Sequence, residues 1–250
     1  MERTEWLQHE REKAEKLYDL YAPGYWDEII HHENETQFEY LHKFLELIPK
    51  HSIVLSAACG GGQYDGILLE AGHSVVGIDQ SEGMLAQAKE RFPEIRYEKT
   101  GLQEMNFREE FDGITCIDAL EYVCPEDWPG ILHRFREALK PGGMLYFTTA
   151  VMEEDHLKEH LEKAKSMGLP AVIGEIVYLA EGDYEEAIAR EEKVTTEEYT
   201  LYNYNPPLEQ VRTWIRQSGL TIEEEGGGNE VEAYDGKLIW HYTHFIMRKK

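Results

Sequence analysis

Ile53-Val-Leu-Ser-Ala-Ala-Cys-Gly-Gly-Gly62 reads as a buried strand that runs into a glycine turn and then into a helix. Consecutive glycines remove the Cβ restriction on φ and let a ligand approach the backbone. In open α/β sheets ligands lie beyond the carboxyl ends of the strands, so this loop marks the ligand edge of the sheet. Nineteen residues after Gly60 a second apolar run ends in Asp79. A carboxylate placed there can accept hydrogen bonds from both hydroxyls of a ribose. Loop and acid together point to an adenosine-type ligand. The dinucleotide fingerprint G-x-G-x-x-G is incomplete, because Asp65 stands in the place of its last glycine. The Lys-Ser/Thr of a triphosphate-binding loop is missing as well.

Outward from this segment, short apolar runs alternate with amphipathic ones. Strands are predicted at 52–57, 73–79, 95–98, 112–118 and 143–149, and helices at 64–71, 82–92 and 127–139. Such alternation specifies an α/β fold, a mostly parallel sheet with helices on both faces. Helical spacing also covers 1–20, through Trp6, Leu7, Leu17 and Leu20, and 34–48. The pattern lapses over 152–204, a polar and Tyr-rich stretch. It resumes at Pro206 with a helix at 208–218 and strands at 220–225 and 237–247. The organisation expected is a helical cover over 1–50, a core over 51–150 and 206–250, and an inserted lid over 151–205. Gly226-Gly-Gly228 reads as a flexible turn.

The 250 residues carry 25 Lys and Arg against 49 Asp and Glu, a formal charge of −24. Such a surface repels a phosphate backbone and an anionic membrane, so neither nucleic acid nor membrane is the expected partner. Residues 151–200 hold 14 acids against 5 bases, which concentrates part of that charge in the expected lid. Cys59, Cys116 and Cys124 form no CxxC pair and fit buried thiols in a reducing compartment. With no leader and no apolar run near the length of a membrane span, the expected location is cytoplasmic. His31-His32 has no HxxxH or HxH partner, and no metal set is expected.

With these features in place, most of residues 18–150 resembles the class I S-adenosylmethionine-dependent methyltransferases. VLSAACGGG, residues 54–62, is similar to their first motif, and Asp79 follows in the ribose-binding place. FDGITCIDALEYV, residues 111–123, resembles the fourth-strand motif, and LKPGGMLYFT, residues 139–148, the turn into the fifth strand. YDLYAPGYWD, residues 18–27, looks like the element that folds over the cofactor. The resemblance implies a Rossmann-like, doubly wound, seven-stranded sheet with an antiparallel last strand. It further implies S-adenosyl-L-methionine as donor, S-adenosyl-L-homocysteine as product and a small-molecule methyl acceptor, in a monomer or homodimer. The family's first-motif acid is Ser56 here, its first glycine is Ala58, and a common His is Tyr122. These departures leave a second reading: a protein of the same fold that binds the cofactor for a non-methylating or regulatory purpose.

Residue roles follow from the resemblance and from the chemistry of in-line methyl displacement, which depends on alignment and exclusion of water. Gly60 and Gly62 admit the methionine portion, Ser56 and Ala58 line it, and Asp79 with Gln80 holds the ribose. Met84 packs on the adenine, which Leu102 and Gln103 read. Asp118 and Ala119 lie nearest the methionine amino group and the methyl. Tyr25 or Trp26 covers the donor and contacts the sulfonium face-on, and Tyr18 is also expected at the cofactor. The acceptor is expected against Trp26, Tyr122, Tyr178, Tyr202, Tyr204, Trp240 and His241. A base is needed only if the acceptor loses a proton, with His241 first and Tyr122 second in line. Core packing is the alternative role for each aromatic, and a structural role the alternative for His241.

Overall fold

Val54 and Leu55 in the first strand and Ile114 and Cys116 in the fourth are fully buried, as strands covered on both faces must be. The computed structural model describes residues 1–29, 35–152, 154–179, 200–232 and 239–250. Strands β1 (Ile53–Ala57), β2 (Ser74–Asp79), β3 (Arg96–Lys99), β4 (Phe111–Cys116) and β5 (Leu139–Val151) pair in parallel. The chain then forms β6 (Glu175–Leu179), β7 (Thr200–Tyr204), β8 (Leu220–Glu232) and β9 (Ile239–Lys249). The main sheet has seven strands in the order β3-β2-β1-β4-β5-β9-β8, with β9 antiparallel to both neighbours. Order reverses between β1 and β4, and a crevice opens at such a switch point.

Seven helices among the described residues complete the architecture: α1 (Arg3–Ile29), α2 (Glu35–Leu47), α3 (Asp65–Glu70), α4 (Glu82–Arg91), α5 (Trp128–Ala138), α6 (Glu154–Ser166) and α7 (Leu208–Ser218). On one face Tyr40, Leu41 and Phe44 of α2 pack with Leu68 and Leu85. On the other, Trp128, Ile131 and Phe135 of α5 meet Val211, Trp214 and Ile215 of α7. The sheet is therefore doubly wound, as expected. Helix α1 continues through Pro23 beyond the predicted end at 20. Asp19 fixes it to α4: its Oδ1 accepts from Ser81 Oγ at 2.6 Å and from the Gly83 N–H at 2.9 Å. Ser81 in turn caps α4 by accepting from Met84 N–H at 3.0 Å.

Two expectations change here. The glycines 226–228 do not form a turn; β8 runs through them, with Gly226 opposite His244 and Gly227 opposite Thr243. The antiparallel partner supplies ladder hydrogen bonds that a sequence read in isolation cannot show. Within 151–205, β6 and β7 pair antiparallel as a separate two-stranded sheet, while 180–199 lie outside the described residues. Tyr202 and Tyr204 of β7 are not a substrate wall. They are buried in the core, Tyr202 edge-on to Trp6 at 5.7 Å and Tyr204 edge-on to Trp128 at 6.3 Å. No helix among the described residues is long and apolar enough to cross a membrane.

A Cβ on Gly226 would sit 1.8 Å from the Tyr40 hydroxyl, whereas one on Gly227 would meet nothing within 4 Å. Gly226→Ala should therefore lower the unfolding free energy by about 1–3 kcal/mol through overpacking. Gly227→Ala should stay within about 0.5 kcal/mol of the parent. Urea unfolding of the two variants measures the contrast; equal effects would mean that the strand does not pack against Tyr40.

Candidate active site

The loop after β1 is built on left-handed backbone. Gly60 and Gly62 have φ of 53° and 84°, and Ala58 also turns left-handed at 51°. A non-glycine residue there carries strain that its surroundings must hold in place. Gly62 faces away from the cavity: a Cβ on it would stand 3.1 Å from the Phe92 ring. Its role is thus to let loop and helix close together, in place of the ligand contact expected of it. The turn aims the Gly60 N–H at Asp79 Oδ2, 2.9 Å away, while the Ser81 N–H donates to Oδ1 at 2.8 Å. Burial pushes the Asp79 carboxyl up, against the pull of those N–H groups. A carboxylate offers about four lone-pair positions, so two remain for hydroxyl donors.

A cavity of about 480 Å³ opens along this edge of the sheet. Tyr18, Tyr25, Ser56, Ala58, Gly60, Asp79, Gln80, Met84, Leu102, Gln103, Asp118, Ala119 and Tyr122 all line it. Tyr18 stands edge-on between Tyr25 at 6.2 Å and Tyr122 at 5.4 Å, so α1 and the turn after β4 present ring surfaces to the same space. Trp26, by contrast, lies outside the cavity lining. The Arg91 guanidinium covers its ring at 4.3 Å, which docks α1 on α4 instead of contacting an acceptor. His241 is not in the lining either; its neighbour Tyr242 is, because successive strand side chains point to opposite faces. The side chains of Tyr178 and Trp240 lie outside the described residues.

At the far end of the cavity stands Asp118, left-handed at φ 52°. Gln37 Nε2 donates to both of its oxygens at 2.6 Å, and Thr148 Oγ1 donates to Oδ1 at 3.1 Å. Thr148 also accepts the Asp118 N–H at 2.8 Å, and the Tyr64 hydroxyl contacts Gln37 Oε1 at 3.0 Å. Burial nonetheless holds the Asp118 carboxyl above the usual carboxylate range. Behind the loop, Asp65 is buried beside Ser56, accepts from the Tyr97 hydroxyl at 2.7 Å, and is likewise pushed up by burial. Beneath the network His244 lies flat on Tyr40, ring centres 4.6 Å apart, and burial lowers its pKa to about 4, which keeps it neutral.

Gln37, Tyr64 and Thr148 were not anticipated from sequence. Gln37 carried a usable signal: it occupies the apolar face of α2 with Tyr40, Leu41 and Phe44, where a polar side chain needs a buried partner. Among the described residues Arg11 is the one cationic side chain lining the cavity, and Glu104 already pairs with it. No group of three or more metal-ligating side chains occurs among them.

A left-handed glycine loop feeding a strand-end acid, at the switch point of a 3-2-1-4-5-9-8 sheet, defines a Rossmann-like α/β domain. Residues 54–143 match the family described as a methyltransferase domain. The ubiquinone biosynthesis O-methyltransferase of Histophilus somni is 32% identical over 155 residues, 56% of this chain and 62% of the relative. The chain spans about three fifths of the length of the curated relatives it matches. A methyltransferase structure from Methanosarcina mazei superposes with a TM-score of 0.64 at 16% identity, covering 82% of this chain and 95% of that one. The Burkholderia thailandensis 1,6-didemethyltoxoflavin-N1-methyltransferase, with bound S-adenosylhomocysteine, gives 0.57 at 18% identity, covering 96% and 89%. Residues 54–143 thus carry the match to a methyltransferase domain, and the fold is that of solved S-adenosylmethionine-dependent methyltransferases.

Glu121, in the turn just after Asp118, has its pKa raised to about 8 by burial and by the Asp118 charge. Since the folded value exceeds the ordinary one, the native state holds an extra proton between about pH 4.5 and 8. Stability therefore falls as pH rises through that window. Glu121→Gln should stabilise the ligand-free protein by about 1–3 kcal/mol at pH 8.5 and by much less at pH 6. Urea unfolding at the two pH values reads the difference; an equal effect at both would show that Glu121 does not titrate there.

Proposed function

We propose that this chain is an S-adenosylmethionine-dependent methyltransferase acting on a small-molecule acceptor. The observation that carries the reading is the cavity itself. A strand-end carboxylate clamped by the glycine loop bounds one end, a second carboxylate bounds the other, and tyrosine rings lie between them. Such a space fits the donor's parts in order. Asp79 has lone pairs for two ribose hydroxyls, with Gln80 beside it. Met84, buried at the start of α4, supplies an apolar surface for the adenine, and Leu102 and Gln103 stand across from it.

The remaining residues act on alignment and charge. Gly60 lets the backbone approach the amino-acid portion, and Ser56, Ala58, Asp118 and Ala119 line the space beyond it. Tyr18, Tyr25 and Tyr122 offer ring faces suited to a sulfonium and exclude water from the reacting centre. When bound, the donor supplies an activated methyl group on a positively charged sulfur. The protein's share is to hold the acceptor in line with it. The relatives' names specify oxygen as acceptor in one case, and a structural neighbour's title specifies nitrogen in another, so the fold alone leaves the acceptor atom open.

Calorimetry with S-adenosylmethionine and S-adenosylhomocysteine tests the reading directly, and both should bind below millimolar concentration. Asp79→Ala should weaken either ligand by ~2–4 kcal/mol, as two hydrogen bonds to an ionised group disappear. Absence of binding by the parent protein would overturn the assignment, and an unchanged affinity in the variant would place the ribose elsewhere.

A further inference from the structure

Glu121 is the side chain whose surroundings satisfy it least. It follows β4 in a single 3-10 turn, is 5% exposed, and leaves Oε2 buried with no hydrogen-bond partner. Its other oxygen accepts only a long bond, 3.5 Å, from the Tyr242 hydroxyl on β9. The groups that face it are the Asp118 carboxyl, the Cys116 thiol and Tyr242, all acidic or neutral. Arg11, the one cationic side chain lining the cavity among the described residues, is paired with Glu104. Removing an ionised carboxylate from water costs several kcal/mol unless a partner repays it. Asp118 and Tyr242 line the cavity, and Glu121 stands behind the Tyr242 hydroxyl, outside the lining.

We propose that Asp118 and Tyr242 form the acceptor-binding end of the cavity, with Glu121 behind Tyr242 as the proton acceptor, and that this end takes a protonatable nitrogen, an amine. The proposal rests on the methyltransferase reading and narrows it. An anionic acceptor, a phenolate or a carboxylate, would add a negative charge beside Asp118. An ammonium reverses the sign and brings donors to Asp118 and to the Tyr242 hydroxyl, which reaches Glu121. The chemistry runs the same way. The bound ammonium passes one proton to the Glu121 carboxylate through the Tyr242 hydroxyl. Its freed lone pair forms the N–C bond while the S–C pair returns to sulfur. Positive charge thus moves from sulfur to nitrogen, beside the carboxyls that favour it there.

The test uses the full chain saturated with S-adenosylhomocysteine and titrated with benzylamine, benzyl alcohol and benzoate, one ring carried by a cation, a neutral group and an anion. Benzylamine should bind at least tenfold more tightly than benzyl alcohol, and benzoate should not bind. Glu121 holds its proton near pH 7 until a cation arrives, so benzylamine binding should release up to one proton, measured as a dependence of the heat on buffer. Glu121→Gln should weaken benzylamine at least tenfold and abolish the proton release, with retained S-adenosylhomocysteine binding as the check on folding. Equal affinities for amine and alcohol, or a variant that binds benzylamine as the parent does, would overturn the proposal. Should the parent bind no S-adenosylhomocysteine, the cofactor reading fails on its own. The same titrations on the protein alone then decide the amine site, with the same ranking and variant effect expected.

Discussion

Carboxyls buried at the carboxyl ends of parallel strands, with almost no cation to meet them, set the terms for the rest of this molecule. Each must be solvated by something, and the solvating groups come from distant parts of the chain. Gln37 of α2 and Thr148 of β5 serve Asp118, the Gly60 and Ser81 N–H groups serve Asp79, and Tyr97 of β3 serves Asp65. Buried polar groups left unpaired are costly, and a network of this kind is stable only when most members are satisfied. Helix α2 is therefore more than a cover for the sheet. Its polar residue among apolar neighbours fixes which turn of the helix faces Asp118.

Much of this was legible in the chain, for local reasons. The glycine run, the strand-end Asp79 and the apolar period of β1, β2 and β4 are short-range signals, and the residues they marked do line one cavity. What could not be read depended on pairing. His241 and Tyr242 differ only by the register of β9, in which Ala150 faces Tyr242 and Val151 faces His241. A shift of one residue would exchange their faces, and nothing in a strand's own sequence fixes that choice. The glycines of β8 misled for the same reason. Their partner strand and the Tyr40 hydroxyl lie far away in sequence, so only the local freedom of glycine was visible.

The tyrosines of the insertion illustrate how composition misleads about place. Their abundance suggested a surface for a ligand, yet Tyr202 and Tyr204 pack with Trp6, Trp128 and Trp214 inside the core. The Tyr202 hydroxyl donates to buried Glu175 at 2.7 Å, and Arg3 reaches the same carboxylate at 2.8 Å. The β6-β7 pair thus anchors the first turn of α1, while Asp19 anchors its middle on α4. Between and just beyond those two fixed points α1 carries Tyr18 and Tyr25 into the cavity. Helix α1 is held at its start by the β6-β7 pair and in its middle by α4, and the aromatic cover takes its position from both.

The sign of the cavity also separates what enters from what leaves. On the reading proposed above, the donor arrives with a positive sulfur and departs without it, whereas the carboxyls around it stay where they are. The same walls that favour the incoming molecule lose part of their hold on the spent one. That difference in hold comes from the carboxyls of Asp79 and Asp118 at the sheet's edge.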